Sequence, residues 1–219
     1  MTMDEQSASS NPAATADANG TPDPYLTATV AEFLDDLADR TPAPGGGAAA
    51  SVTCAMAAGL VEMAASFASA KGLERVRERA HELRQEVASL AHADGRAYGV
   101  VLDALRMAPG EERTTRLDTA VAGAIACPIH ILRIAAEVAT LAADMAETGN
   151  RNLEGDALAG ALLAEASARS AATLAHLNVS LLSRHASSDA HLERLRPELA
   201  KATRARERAV DAYARMERV

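Results

Sequence analysis

The stretch covering residues 47–70 constrains the fold more than any other part of this sequence, because Glu62 is its only charged residue. Most of its side chains are Ala, Ser or Gly. The larger ones recur at helical spacing and form one stripe: Val52, Met56, Leu60, Met63 and Phe67. A membrane-spanning helix has a similar length, but this stretch is too weakly apolar to prefer lipid. The pattern therefore predicts a helix enclosed by other helices at the centre of a bundle.

The remainder of the chain also predicts helices, because unbranched side chains dominate it and β-branched residues never cluster into a strand-like run. Hydrophobic periodicity and turns at Gly and Pro divide the chain into about seven helices. Their expected bounds are 29–40, 47–70, 73–107, 111–127, 128–148, 155–185 and 188–218. The third is continuous or broken near Gly95, a break or kink is expected at Pro128, and the last is interrupted around Pro197.

These patterns predict an all-α fold, a single-domain multi-helix bundle covering residues 25–219. Residues 1–24 lack hydrophobic periodicity and are predicted to form a disordered tail. Cys54 and Cys127 lie in apolar helical sequence, which predicts buried thiols rather than a disulfide framework. No basic segment followed by an apolar segment opens the chain, so we expect a cytoplasmic protein.

Charge and histidine spacing narrow the classes of function. The formal net charge of -8 argues against a nucleic-acid-binding domain, which would show a clustered basic face. The histidines form neither a His-Glu-x-x-His pattern nor a Cys/His cluster, so no metal site is predicted.

Asp94 is the most informative single residue, because helical periodicity places it in an otherwise apolar row. The other members of that row are Ala80, Leu83, Val87, Leu90, Tyr98, Val101, Leu102 and Leu105. An unpaired carboxylate on a core-facing row is costly to bury. Asp94 is therefore hydrogen-bonded to a neighbouring helix, a cap at a helix break, or a functional group facing a cavity.

Two turns contain further candidate functional residues. Gly45, Gly46 and Gly47 precede an uncharged helix, where they serve either a tight packing turn or the binding of an anion at the helix start. Residues 149–156 combine Asn150 and Asn152 with Asp156, which is expected at the start of the next helix. Capping explains these side chains, and the same groups could also hydrogen-bond a polar heterocycle.

Taken together, these segments resemble the C-terminal family of formiminotransferase-cyclodeaminase, which includes stand-alone methenyltetrahydrofolate cyclohydrolases. The resemblance covers roughly residues 30–182. Its anchors are Thr41-Pro42-Ala43-Pro44-Gly45-Gly46-Gly47, Leu60-Val61-Glu62-Met63, Asp94-Gly95-Arg96-Ala97-Tyr98, Pro109 with Arg116, Cys127-Pro128, and Gly149-Asn150-Arg151-Asn152 ending at Asp156. The family usually has Ser where this chain has Ala48 and Gly155.

The resemblance implies a dimeric enzyme of one-carbon tetrahydrofolate chemistry, with the folate as substrate and no cofactor. Asp94 would be the catalytic general acid and base. The remaining candidates would bind substrate: Asn152 and Asp156 at the pterin, and Gly45, Gly46, Gly47, Lys71 and Arg116 at the glutamate carboxylates. Asn150 is a further substrate-binding candidate.

The presence or absence of a formiminotransferase domain bears on which of the two folate reactions is expected. Because no formiminotransferase domain is attached, the cyclohydrolase is favoured slightly over the cyclodeaminase. The alternatives are a non-catalytic folate- or pterin-binding protein and a structural helical bundle.

Overall fold

The computed structural model describes residues 23–67, 73–181, 196–201, 203–208, 211 and 214, and within them it contains helices and turns but no strand. The helices are α1 (Pro24–Thr27), α2 (Val30–Ala38), α3 (Gly46–Ser66), α4 (Leu73–Arg106), α5 (Glu111–Thr148) and α6 (Glu154–Leu181). A short 3-10 helix, Arg151–Leu153, joins α5 to α6, and residues 196–201 and 203–208 are also helical. The predicted all-α fold is confirmed. Residues 1–22 of the tail predicted for residues 1–24, Lys71, and much of the predicted last helix lie outside the described residues. The last two residues of that predicted tail are ordered instead, with Asp23 as the N-cap and Pro24 as the first residue of α1.

Two long helices run through positions where the sequence allowed or predicted a break. Helix α4 is continuous through Gly95, so Asp94 does not cap a helix end. Of the break or kink predicted at Pro128, the break is wrong, because α5 continues on both sides of this residue. Neighbouring helices enclose Pro128 and fix the path of the chain there.

Helix α3 packs against α4, α5 and α6. It runs antiparallel to α6, since Gly46 lies beside Leu174 while Gly160 lies beside Ala57 and Leu60. The Ser167 hydroxyl donates to the Ala50 carbonyl at 2.7 Å in the middle of this contact. On the other side of α3, the Ser51 hydroxyl donates to the Val87 carbonyl of α4.

Small side chains set the spacing of the four long helices. Fully buried alanines line the contacts of α3, α5 and α6, among them Ala57, Ala58, Ala135, Ala139, Ala142, Ala161, Ala164 and Ala168. A Cβ added at Gly160 would lie 3.4 Å from the Ala57 carbonyl oxygen. The helix backbones therefore approach closely, and dispersion contacts between backbones replace interdigitated large side chains.

The large-residue stripe of α3 faces outward, which corrects the prediction of a helix enclosed on all sides. Met56 is 53% exposed and Phe67 is 65% exposed, while Val52, Leu60 and Met63 are only partly buried. The small-residue face is buried instead. The physical reason is that alanine and glycine allow closer helix contact than methionine or phenylalanine.

Both α3 and α5 are long and apolar enough to cross a membrane by length and composition alone. About half of the most apolar window of each is buried inside the bundle, and core helices of soluble proteins pass the same test.

Because the helices are in close contact, we expect that enlarging a side chain of α5 destabilises the protein at a buried position but not at an exposed one. Replacing Ala142, which is fully buried beside Gly160, with Leu should lower the free energy of unfolding by about 1–3 kcal/mol. The Ala126→Leu control lies on the exposed side of the same helix and should change it by less than about 0.5 kcal/mol. Urea unfolding of both variants measures the difference, and equal effects would contradict the close-contact description.

Candidate functional site

A cleft lies where the start of α3, the middle of α4 and α5, and the end of α6 meet. Its volume is about 500 Å³. The residues that line it are Pro42, Gly45, Gly46, Gly47, Asp94, Gly95, Tyr98, Ala124, Leu174, Leu177 and Asn178. The structure thus brings together Asp94 and the three glycines, which the sequence had singled out separately.

Gly47 leaves room for the side chain of Asp94. A Cβ at Gly47 would collide with the Asp94 carboxyl group. At Gly46 the nearest atom to an added Cβ is a methyl carbon of Leu174 at 3.5 Å, which is ordinary contact, and Gly45 has an extended φ of -137°. The turn is therefore built for close approach at one position, and the group that approaches is the carboxyl of Asp94.

Asp94 is a half-buried carboxyl whose pKa is raised above its ordinary value, because burial removes water from the charged form. In the described part of the chain, no hydrogen bond or ion pair is recorded for it. Within those residues, the structure therefore does not support the alternative that Asp94 is hydrogen-bonded to a neighbouring helix. What remains is a carboxyl that burial makes easier to protonate than an exposed aspartate and that lines a cleft.

The Tyr25 hydroxyl lies beside Gly95, the residue after Asp94, and Asn178 lines the same cleft as Asp94. Sequence reasoning missed both residues. The Tyr25 ring meets the rings of Phe33 and His92 edge-on, with centroids 5.8 and 5.5 Å away. Burial raises the pKa of Tyr25, with further contributions from nearby carboxylates that include Asp94. Asn178 donates from Nδ2 to the Ala124 carbonyl at 2.9 Å. Only the placement of α1 and α6 against α4 and α5 reveals these neighbours.

Arg116 lies in a neighbouring cavity of about 880 Å³ between α4 and the start of α5. The walls there include Ala97, Val100, Glu111, Glu112 and Thr119. Arg116 therefore does not line the Asp94 cleft, and it precedes Ala124, which does, by eight residues of α5.

Asn150, Asn152 and Asp156 lie at the opposite end of α6 from the cleft. Asp156 precedes Leu174 by 18 residues of one helix, which corresponds to about 27 Å at a helical rise of 1.5 Å per residue. The Asn150 side chain accepts a hydrogen bond from the Asn152 backbone amide at 3.0 Å and so caps the 3-10 helix. A single chain therefore does not bring these residues to Asp94.

The two positions where the family usually has Ser differ in their surroundings. Ala48 is buried in a small cluster with Phe33 and Ala91 and does not line the cleft. At Gly155 an added side chain would meet open space. Neither position changes the groups that face Asp94.

The two cysteines lie inside the helical bundle. Cys54 and Cys127 are free and buried, as the sequence predicted, and burial raises the pKa of each thiol to about 12. Among the residues that the structure describes, no three His, Cys, Asp or Glu side chains are grouped so that they could hold a metal ion.

Comparisons with known proteins agree on one family. The pattern of the formiminotransferase-cyclodeaminase family matches residues 29–197. A methenyltetrahydrofolate cyclohydrolase from Methylorubrum extorquens is 32% identical over 193 residues, which cover 82% of this chain and 93% of that protein. The formimidoyltransferase-cyclodeaminase of Rattus norvegicus is 24% identical over 57% of this chain and 26% of its own length.

A solved structure gives the same result. The crystal structure of formiminotetrahydrofolate cyclodeaminase from Thermotoga maritima matches with a TM-score of 0.79 and 30% sequence identity. The match covers 85% of this chain and 96% of that one.

The raised pKa of Asp94 predicts a pH-dependent cost to stability. Below the ordinary pKa of 3.8 the carboxyl is neutral in both folded and unfolded chains, and the cost of burying its charge grows as pH rises through the folded-state pKa. The Tm of Asp94→Asn should therefore exceed that of the wild type at pH 8, and the difference should shrink toward pH 4.

The matched control is Asp103→Asn on the same helix, where the side chain is 75% exposed. Thermal unfolding followed by circular dichroism across this pH range measures both variants. If the Tm of Asp94→Asn depends on pH in the same way as the Tm of the control, burial does not raise the cost of charging Asp94.

Proposed function

Because this chain belongs to the formiminotransferase-cyclodeaminase family, we propose that it acts on one-carbon tetrahydrofolates as a methenyltetrahydrofolate cyclohydrolase. The reaction converts 5,10-methenyltetrahydrofolate and water to 10-formyltetrahydrofolate. The observation that carries the assignment to this cleft is the half-buried Asp94 carboxyl against Gly47. The relative named as a cyclohydrolase supports the choice of reaction, since the similarity spans 93% of its length.

The chemistry needs one group that first accepts and then donates a proton. Water adds to the methenyl carbon, its oxygen forms the new C–O bond, and Asp94 accepts a proton from it. The carbon–N5 bond of the tetrahedral adduct then breaks, and Asp94 returns its proton to N5, while the adduct hydroxyl releases its proton to solvent water to give the formyl group. A carboxyl with a raised pKa suits the proton-donating step, because it is easier to protonate than an ordinary aspartate.

Cyclodeamination is the second candidate, favoured by the match to the Thermotoga maritima cyclodeaminase. In that reaction N10 attacks the formimino carbon on N5, and ammonia leaves from a tetrahedral adduct. Asp94 would protonate the leaving nitrogen. Both reactions pass through a tetrahedral adduct and require proton transfer to or from its oxygen and nitrogen atoms. The same cleft therefore serves either reaction. We propose that no cofactor is needed.

Turnover of the purified full-length chain tests the assignment. Loss of the ultraviolet absorbance of 5,10-methenyltetrahydrofolate above the buffer rate identifies a cyclohydrolase, and ammonia release from 5-formiminotetrahydrofolate identifies a cyclodeaminase. Asp94→Asn should lower kcat by about 10²- to 10⁴-fold, the usual contribution of a general acid or base.

The control variant for turnover is Asp103→Asn, which should retain wild-type activity. Full activity of Asp94→Asn would reject the role of this carboxyl. Thermal stabilisation by folate without any turnover would instead favour a binding protein, and no response would favour a structural bundle.

The distance between Asp94 and Asp156 leads us to propose a homodimer through the outward face of α3. The α3 stripe, defined as Val52, Met56, Leu60, Met63 and Phe67, carries no charge and is partly exposed in the single chain. Glu62 points away from it, into an ion pair with Arg84 and a hydrogen bond with His81 of α4. An uncovered apolar face of this length is typical of a protein interface.

A two-fold contact at the middle of this stripe would complete the site. Met56 lies near the midpoint of α3, whose start borders the Asp94 cleft and whose end lies toward Asp156 because α6 is antiparallel. With the two-fold axis perpendicular to α3, as we propose, the two α3 helices would run in opposite directions. Asn152 and Asp156 of the partner subunit would then approach the first subunit's cleft, where we propose that they bind the pterin.

Roles for the other binding candidates follow from this arrangement. We propose that Asn150 supports this loop, while Gly45, Gly46, Gly47 and Arg116 receive the glutamate end of the folate. Lys71, outside the described residues, keeps its proposed role at a carboxylate. We place the dimer in the cytoplasm, with no nucleic-acid or membrane partner.

Subunit mixing tests the shared site. Asp94→Asn and Asp156→Asn should each be inactive alone. Mixed dimers would contain one site that carries neither substitution, so equal mixing and reannealing should restore up to about a quarter of wild-type activity. The absence of any restoration from two dimeric variants would reject a site shared between subunits.

A surface variant tests the interface itself. Met56→Glu should shift the protein to a monomer in size-exclusion chromatography with light scattering, because it places a charge at the centre of the contact. Leu105→Glu, at a partly exposed apolar position on α4, should remain dimeric. A Met56→Glu variant that stays dimeric would place the interface elsewhere.

A further inference from the structure

Pro128 leaves one carbonyl of α5 without its helical hydrogen bond. In a helix the carbonyl of residue 124 accepts from the backbone N–H of residue 128, and proline has no N–H. Its ring also crowds that same carbonyl. Ala124 lines the Asp94 cleft, so the unpaired acceptor lies at the candidate site.

Asn178 of α6 supplies the missing donor. Its Nδ2 donates to the Ala124 carbonyl oxygen at 2.9 Å across the contact between α5 and α6. Because a carbonyl can only accept, the nitrogen must face Ala124 and the orientation of the amide is fixed. Within the described residues no hydrogen bond is recorded for the Asn178 Oδ1, and Asn178 lines the same cleft as Asp94.

We propose that Asn178 is a second catalytic residue of this site, whose Oδ1 accepts a hydrogen bond from the water that attacks the substrate carbon. This inference rests on the proposed cyclohydrolase function. One hydrogen of the water points to Asn178 and the other is transferred to Asp94, while the oxygen lone pair forms the C–O bond to the methenyl carbon. Pro128 thus contributes indirectly, because the carbonyl that it leaves unpaired holds the amide in place.

The competing explanation is that Asn178 only satisfies the carbonyl of Ala124. Both explanations predict that Asn178→Ala lowers the Tm, since it leaves a buried acceptor unpaired. They differ once the helical donor is restored. Pro128→Ala returns an N–H at residue 128 to the Ala124 carbonyl, so it removes the structural need for Asn178.

The test compares the wild type with Asn178→Ala, Pro128→Ala and the double variant, using Tm and the kinetics with 5,10-methenyltetrahydrofolate. We expect the double variant to recover the wild-type Tm while its kcat stays about 10-fold or more below wild type, the equivalent of one lost hydrogen bond. The KM should change little, because the lost contact is to water. Pro128→Ala alone should keep its Tm and lose part of its kcat as the amide is released.

Two outcomes would overturn the proposal, and they are distinguishable. If the double variant recovers both Tm and kcat, Asn178 has only a structural role and the proposed function stands. If the wild type itself turns over neither methenyl- nor formiminotetrahydrofolate, the proposed function fails and the role of Asn178 fails with it.

Discussion

The close approach of α3, α4, α5 and α6 is the constraint on which the rest of this structure depends. Alanine and glycine fill the contacts, so helix backbones lie near one another and hydroxyls such as that of Ser167 reach carbonyls on the next helix. The same closeness puts the Asp94 carboxyl against Gly47, where any larger residue would collide. It also directs the larger side chains of α3 outward, where they form the surface proposed for self-association.

Hydrophobic periodicity predicted the helices and turn chemistry predicted most of their limits, because both are properties of short segments. Hydrophobic periodicity also predicted that Asp94 lies in an otherwise apolar row of its helix. The face that α3 buries was predicted wrongly, because side-chain size was taken as a guide to burial and the bundle selects small residues at its contacts. Continuity through Pro128 was missed for a related reason, since tertiary contacts hold that segment in a helix.

The candidate site was predictable in part. Asp94 and Gly47 are recognisable from local pattern, but their contact depends on how α3 packs against α4. Asn178 carries no local signal at all: its importance comes from a carbonyl on another helix that lost its donor. The separation of Asp156 from Asp94 follows from the antiparallel course of α6, which no single-segment pattern reveals.

The bond between Asn178 and Ala124 has an evolutionary consequence. A backbone group in α5 is satisfied by a side chain from α6, so positions 128 and 178 form a pair that is separated by 50 residues yet constrained together. Loss of Asn178 while Pro128 remains is penalised in the folded state, whereas loss of Pro128 first lifts that penalty. For stability alone, substitution at these two positions is therefore ordered: the asparagine is replaced at low cost only after the proline has gone.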